Sequence, residues 1–312
     1  MNAMEREYKL FGKNMEKGDE QQVVADLSHI REKERKPLEG EPEKSPDELR
    51  FISRLNDYIQ QEFKELGIQE SRNIEPNQIH LLPRDVFERH FGERIPAFHS
   101  TTGDSIYAVK DRLSKEILYD TLVHEAIHAV SLHKFHVDKE KRKVSEYRTG
   151  YQTRNPSRKK WHFSGFSEAL TEKFARDIYN KHLDALIEEF GVSEKEPQLP
   201  MVYDRFMQIV DTIVKRVAER KGEAETSVWQ RFKRGLITGE MLHLRDVEET
   251  YGGGSLRVLA ALDALSGDVL PELIDKVDEY FTTDDIEKRK SIAHEILSGS
   301  DLRRYNSQSK SS

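Results

Sequence analysis

Residues 121–130, T-L-V-H-E-A-I-H-A-V, constrain this chain more than any other segment. In a sequence of which 34% is Asp, Glu, Lys or Arg, they carry one formal charge, Glu125, set beside His124 and three residues before His128. Uncharged residues on every side predict a helix buried nearly all round, where a polar group needs a partner. Two histidines four apart on a helix project from one face about one turn apart, so both imidazoles can reach one ion. Glu125 points about 100° round the helix. Its carboxylate then lies beside the ion rather than on it, placed to take a proton from water on the metal. The bland alternative is two ordinary histidines on a half-buried helix.

Composition narrows the chemistry. The 312 residues include no cysteine, which excludes disulfides, thiolate nucleophiles and Cys-based zinc sites. A metal must rest on His and carboxylate. A net charge of −7 and a pI near 6.0 argue against a nucleic-acid partner. The short basic runs 139–143 and 158–160 read as solvated turns. No apolar run approaches the roughly 20 residues of a membrane span, and residues 1–20 contain no hydrophobic signal core. The expectation is a soluble, cytoplasmic protein with no membrane partner.

Residues 1–47 read as a flexible arm and charged linker, because 31–47 is charge-dense, interrupted by Pro37, Pro42 and Pro46, and short of apolar surface. Tyr8, Leu10, Phe11, Val23, Val24 and Leu27 make the arm a candidate autoinhibitory flap whose deletion would raise activity. Leu49, Ile52, Leu55 and Ile59 keep helical spacing and predict a helix over 46–66. Strand-like runs follow at 78–82, 95–100 and 105–110, the last two flanking a hairpin turn at Thr101-Thr102-Gly103-Asp104. The motif helix begins after Ser114 as N-cap, and a second hairpin joins 144–153 to 160–163. From Phe166 every segment reads as helix: 166–190, 200–220, 223–236, 239–251, 255–265, 269–281 and 283–297. The fold class is therefore α+β. A subdomain over 48–164 holds a small, mostly antiparallel sheet and the motif helix. A helical subdomain covers 165–299, and a disordered tail 300–312.

A catalytic zinc usually has three protein ligands and one open position. The extended form H-E-x-x-H-x-x-G-x-x-H is absent, since Ser131 and Lys134 stand where Gly and the third His belong. His133 and His136 are wrongly spaced for that pattern. On a continued helix His136 would lie roughly 12 Å along the axis from His128. The better candidate is Glu168, in Gly165-Phe166-Ser167-Glu168-Ala169-Leu170-Thr171-Glu172. This segment opens a helix with the apolar stripe Phe166, Leu170, Phe174 and Ile178, and it puts Glu168 and Glu172 together on another face. A ligand followed one turn later by an acid that accepts a histidine's second ring N–H suits this pair. Taken alone, the segment favours two solvated acids.

An H-E-x-x-H helix, a short β segment and a helix beginning near N-E-G-x-T-E together resemble the gluzincin metallopeptidases. The strand Glu146-Tyr147-Arg148-Thr149-Gly150-Tyr151 is similar to one that precedes the glutamate helix in small bacterial minigluzincins. The resemblance covers 113–179. It implies a zincin-like fold, Zn2+ held by His124, His128 and Glu168, Glu125 as general base, Glu172 behind the ligands, and hydrolysis of a peptide or protein substrate. Ser167 and Ala169 depart from the family's Asn and Gly. The family also uses a downstream Tyr or His to stabilise the oxyanion, for which Tyr203 is the candidate, ahead of Tyr251 and His243. Zincin-like folds bind peptides by strand addition, and 105–110 is the expected edge strand. The rivals are a zinc hydrolase of non-peptide amides and a non-catalytic helical interaction protein with structural metal or none. Glu125 speaks against the last, since a structural site needs no base.

Overall fold

The computed structural model describes residues 9–12, 16–69, 72–92, 95–111, 113–138, 143–155, 160–193, 201–265 and 271–298. The fold is α+β and divides into two compact units, residues 1–149 with 173–199 and residues 150–172 with 200–312. Among the described residues no helix is long and apolar enough to cross a membrane.

The first unit contains β1 (Lys9–Phe11), α1 (Lys17–Glu34), α2 (Pro46–Glu65), β2 (Ile79–Leu82), α3 (Arg84–Phe91), β3 (Ala97–Ser100), β4 (Ser105–Val109), α4 (Lys115–Val130), β5 (His133–Asp138) and β6 (Lys143–Thr149). Its helix starts follow local chemistry. Ser45 caps α2 in a reciprocal box, accepting from the Glu48 amide at 3.2 Å while the Glu48 carboxylate accepts from the Ser45 amide at 2.6 Å, with Pro46 at the first position. The buried face of α2 is Phe51, Ile52, Leu55, Tyr58, Ile59 and Phe63. Leu49, expected on that stripe, is exposed. Ser114 caps α4 through the Ile117 amide at 3.4 Å. As its uncharged sequence requires, α4 is enclosed on most sides, with Leu122, Val123, Ala126 and Ile127 at 1% exposure or less. Phe51 of α2 stacks on its Tyr119 at 3.9 Å.

Strand β4 pairs parallel with β2 and antiparallel with β3, and all five of its residues are buried. The expected peptide-binding edge at 105–110 is thus the middle of a three-stranded sheet, and β2 and β3 are the edges. The reason is that 78–82 finds β4 in parallel across the intervening α3, a helix that the strand-like reading of this region did not contain.

The described residues within 1–47 are a further correction. Strand β1 pairs parallel with β5, Leu10 opposite Phe135. The apolar residues of α1, Val23 and Leu27, form a core with Phe135 and Val137. The charged stretch after α1 is also held down. Leu38 packs against the core cluster formed by Leu82, Val86, Phe87, Tyr107 and Val109, and Glu41 accepts a 2.7 Å hydrogen bond at buried His80. Composition treats each of these charges as solvated, whereas here Arg31, Glu34, Arg35 and Glu41 have protein partners.

The second unit contains β7 (Gln152–Asn155) and β8 (Lys160–His162), an antiparallel pair. Helix α5 (Ser164–Lys181) follows, with the unit boundary falling after Glu172, and α6 (Leu183–Phe190) lies in the first unit. The second unit resumes with α7 (Met201–Lys221), α8 (Glu225–Thr238), α9 (Leu244–Tyr251), α10 (Ser255–Leu259), a 3-10 turn (Ala260–Leu265), α11 (Pro271–Thr282) and α12 (Ile286–Ser298). The expected helix over 166–190 is broken at His182. The expected boundary at 164/165 is replaced by one inside α5, because that helix continues past its first turns into contacts of the first unit. Lys181 donates to Glu62 at 2.7 Å and Glu65 at 2.6 Å. Residues 144–153 are two strands, β6 paired with β5 and β7 paired with β8, parted by Gly150 in a left-handed conformation, φ +53°. The tail 300–312 lies outside the described residues.

Candidate metal centre

The burial of α4 leaves one face for His124 and His128. Their Nε2 atoms stand 3.1 Å apart and their rings 4.8 Å apart. Two nitrogens bound to one zinc at about 2.05 Å with a tetrahedral angle would be roughly 3.3 Å apart, so the pair already has nearly the spacing that one ion demands. A carboxylate oxygen of Glu168 completes the group, with the three ligand atoms all within 4.8 Å of one another and each residue half-buried. Two imidazoles and one carboxylate are a donor set of the kind that zinc takes at three-ligand sites. Glu125 is 8% exposed on the same helix, and Glu172, one turn after Glu168, is 3% exposed, so neither is a solvated surface acid.

Glu168 owes its position to distant residues. At the start of α5, Asp263 accepts from the Phe163 amide at 2.7 Å and the Gly165 amide at 3.3 Å, putting a carboxylate at the positive end of the helix. Gly165 lets the helix start lie against the Leu262 carbonyl, which an added Cβ would meet at 2.5 Å. Gly150, in the turn between β6 and β7, lies against Leu236 and Ser167, where a Cβ would meet them at 2.6 and 3.4 Å. The buried stripe Phe166, Leu170, Phe174 and Ile178 then fixes the rotation of α5.

The carboxyl end of α4 is equally well secured. A helix leaves its last carbonyls without intrahelical partners. Here the Ile127 carbonyl accepts from the Ser131 amide at 3.0 Å and hydroxyl at 2.7 Å, and the His128 carbonyl from the Ser131 amide at 3.2 Å. The Ala129 carbonyl accepts from Arg72 Nη1 at 2.6 Å, with His133 Nε2 3.4 Å away. Because α4 ends at Val130, His136 is on β5 and not on a continued helix, with its ring 5.3 Å from Phe11.

The candidates for oxyanion stabilisation fare differently. Tyr203 is in the first turn of α7, and its side chain is outside the described residues. Tyr251 is packed near Tyr280 and Phe281, its hydroxyl 3.4 Å from the Thr212 carbonyl. His243 is hydrogen-bonded through Nε2 to the Tyr151 hydroxyl, which also donates to the Phe232 carbonyl at 3.1 Å. Arg72, Asp104, His99 and His133 are the residues near this centre that motif reasoning missed. The available signal was Asp104, an acid closing the turn Thr101-Thr102-Gly103-Asp104.

Compared with known protein families, curated proteins and solved structures, the chain matches none.

Proposed function

We propose that this protein is a zinc-dependent peptide hydrolase of gluzincin type with a zincin-like fold, in which His124, His128 and Glu168 hold the metal. The convergence of those three side chains, from helices separated by two hairpin-forming segments, carries the reading. A zinc ion bound there supplies Lewis-acid activation of water and of the substrate carbonyl. The Glu125 carboxylate accepts a proton from the attacking water as its oxygen bonds to the carbonyl carbon. It then delivers that proton to the departing amine nitrogen as the C–N bond breaks. Burial of Glu125 among apolar neighbours keeps bulk water from competing for that proton. Glu172 is assigned the role of orienting a metal-bound histidine through its second ring nitrogen, and Tyr203 the role of donating to the oxyanion.

Metal analysis of purified protein tests this first. About one zinc per chain is expected in the natural sequence and in Glu125→Gln, with much weaker binding in Glu168→Ala. Peptide cleavage should vanish in Glu125→Gln. No bound zinc after supplementation would leave the motif a coincidence and favour the helical interaction protein. Undiminished cleavage by Glu125→Gln would refute Glu125 as the base.

A further inference from the structure

Asp104 has a side chain only 1% exposed and a left-handed backbone, φ +56°, which a non-glycine residue adopts at a cost and keeps only where its surroundings hold it. Those surroundings are unusually cationic. Oδ1 is bound by Arg72 and lies 3.8 Å from His99 Nε2. Oδ2 accepts from Gln78 at 3.0 Å and faces Arg35 at 3.6 Å and Arg31 at 3.9 Å. Gln78 also donates to the Asp104 carbonyl at 2.8 Å. Three guanidinium groups, two from the end of α1 and one from Arg72, meet at one buried carboxylate. Of these, Arg72 is the one whose other end, Nη1, grips the last turn of the metal helix at Ala129, the residue after His128.

We propose that Asp104 and Arg72 are positioning residues for the metal centre. Asp104 orients Arg72, and Arg72 holds the Ala129 carbonyl, so that the turn carrying His128 cannot fray. The N-terminal helix takes part, because Arg31 lies within α1 and Arg35 at its end. A cation at the carboxyl end of a helix also favours the helix dipole. A guanidinium can bridge a carboxylate and a carbonyl at once, which an ammonium does less well. A histidine ligand in the last turn depends on that turn's hydrogen bonds for its place, whereas His124, one turn earlier, does not. The inference rests on His124, His128 and Glu168 being a metal site.

The test is zinc affinity by competition with a chromophoric chelator, with the visible spectrum of the cobalt-loaded protein as a record of ligand geometry. Arg72→Met and Asp104→Asn are expected to bind zinc several-fold to about tenfold more weakly, at the low end of what loss of a supporting hydrogen bond does at metal sites, and to shift the cobalt bands. Arg72→Lys, which restores one donating cation, should recover part of the affinity and serves if the methionine variant does not fold. Val86→Ala, a core cavity in the same unit on a helix that carries none of these partners, should lower the thermal midpoint and leave affinity and spectrum unchanged. Folded Arg72 and Asp104 variants with natural affinity and spectrum would overturn the inference, as would an equal loss in Val86→Ala. Absence of metal binding in the natural sequence would instead remove the metal reading itself.

Discussion

Tyr151 and His243 form a buried pair that only one residue type at 235 allows. A methyl group on Gly235 would run into the Tyr151 hydroxyl, and would come within 2.5 Å of His243 Cε1 and 2.6 Å of the Glu240 carbonyl. Burial, and after it the charge of Arg231, pushes the His243 pKa down to about 4, against the opposing pull of Asp246 and Glu240. An unfolded histidine titrates near 6.5. Between those values the unfolded chain binds a proton that the folded chain does not, so this histidine costs stability as pH falls from about 6.5 towards about 4. At pH 5 the loss attributable to it is about 2 kcal/mol relative to pH 7. Urea unfolding at both pH values should show that much less pH dependence in His243→Gln than in the natural sequence. A variant with the full natural slope would mean that His243 is not the neutral buried group described here. His99 and His133 are also held down, by burial first, so a residual slope in the variant is expected.

At the scale of elements, the N-terminal arm is a structural part of the first unit. Removing residues 1–36 would uncover Phe135, which is fully buried, and Val137, and would take two of the three arginines from Asp104. Burial alone would raise the Asp104 pKa, and His99, Arg72 and Arg31 overcome it to hold the carboxyl well below the usual carboxylate range; losing Arg31 and Arg35 leaves that burial less well compensated, which is strongly destabilising. The truncated chain is therefore expected to melt lower or to be insoluble, where an autoinhibitory flap would leave stability intact and raise peptide cleavage. Thermal unfolding and cleavage assays on one preparation separate the two. The same element shows why some of this fold was readable in sequence and some was not. Helices α2 and α4 announce themselves through Ser45 and Ser114 and through apolar spacing, all within one short window. The candidate metal ligands were readable for the same reason, His124 and His128 by i, i+4 spacing and Glu168 by its place near the start of an amphipathic helix. Strand β1 and helix α1 are short of local signal and are fixed by β5, far along the chain. Likewise α5 is capped by Asp263, and the network at Asp104 joins residues 31, 35, 72, 78 and 99, so no window of sequence contains it.

For the whole molecule, the feature that matters is that neither α4 nor α5 makes the proposed metal site by itself. Helix α4 provides two imidazoles and α5 one carboxylate, and the three atoms come within 4.8 Å of one another only in the folded chain. A ligand that binds the folded state and not the unfolded one stabilises it by RT ln(1 + [L]/Kd), about 2.7 kcal/mol when free zinc is 100 times Kd. For a chain of 312 residues, that corresponds to a rise of roughly 4 °C in thermal midpoint. Zinc-loaded protein should therefore melt that much higher than chelator-treated protein, and the difference should shrink in Glu168→Ala in step with its weaker affinity. Glu125→Gln should retain the full shift, because Glu125 is assigned to the proton and not to the metal. If the shift persists in a His124→Ala, His128→Ala double variant, the stabilising ion is bound by other residues. If Glu125→Gln loses the shift while Glu168→Ala keeps it, the roles given to the two carboxylates are reversed.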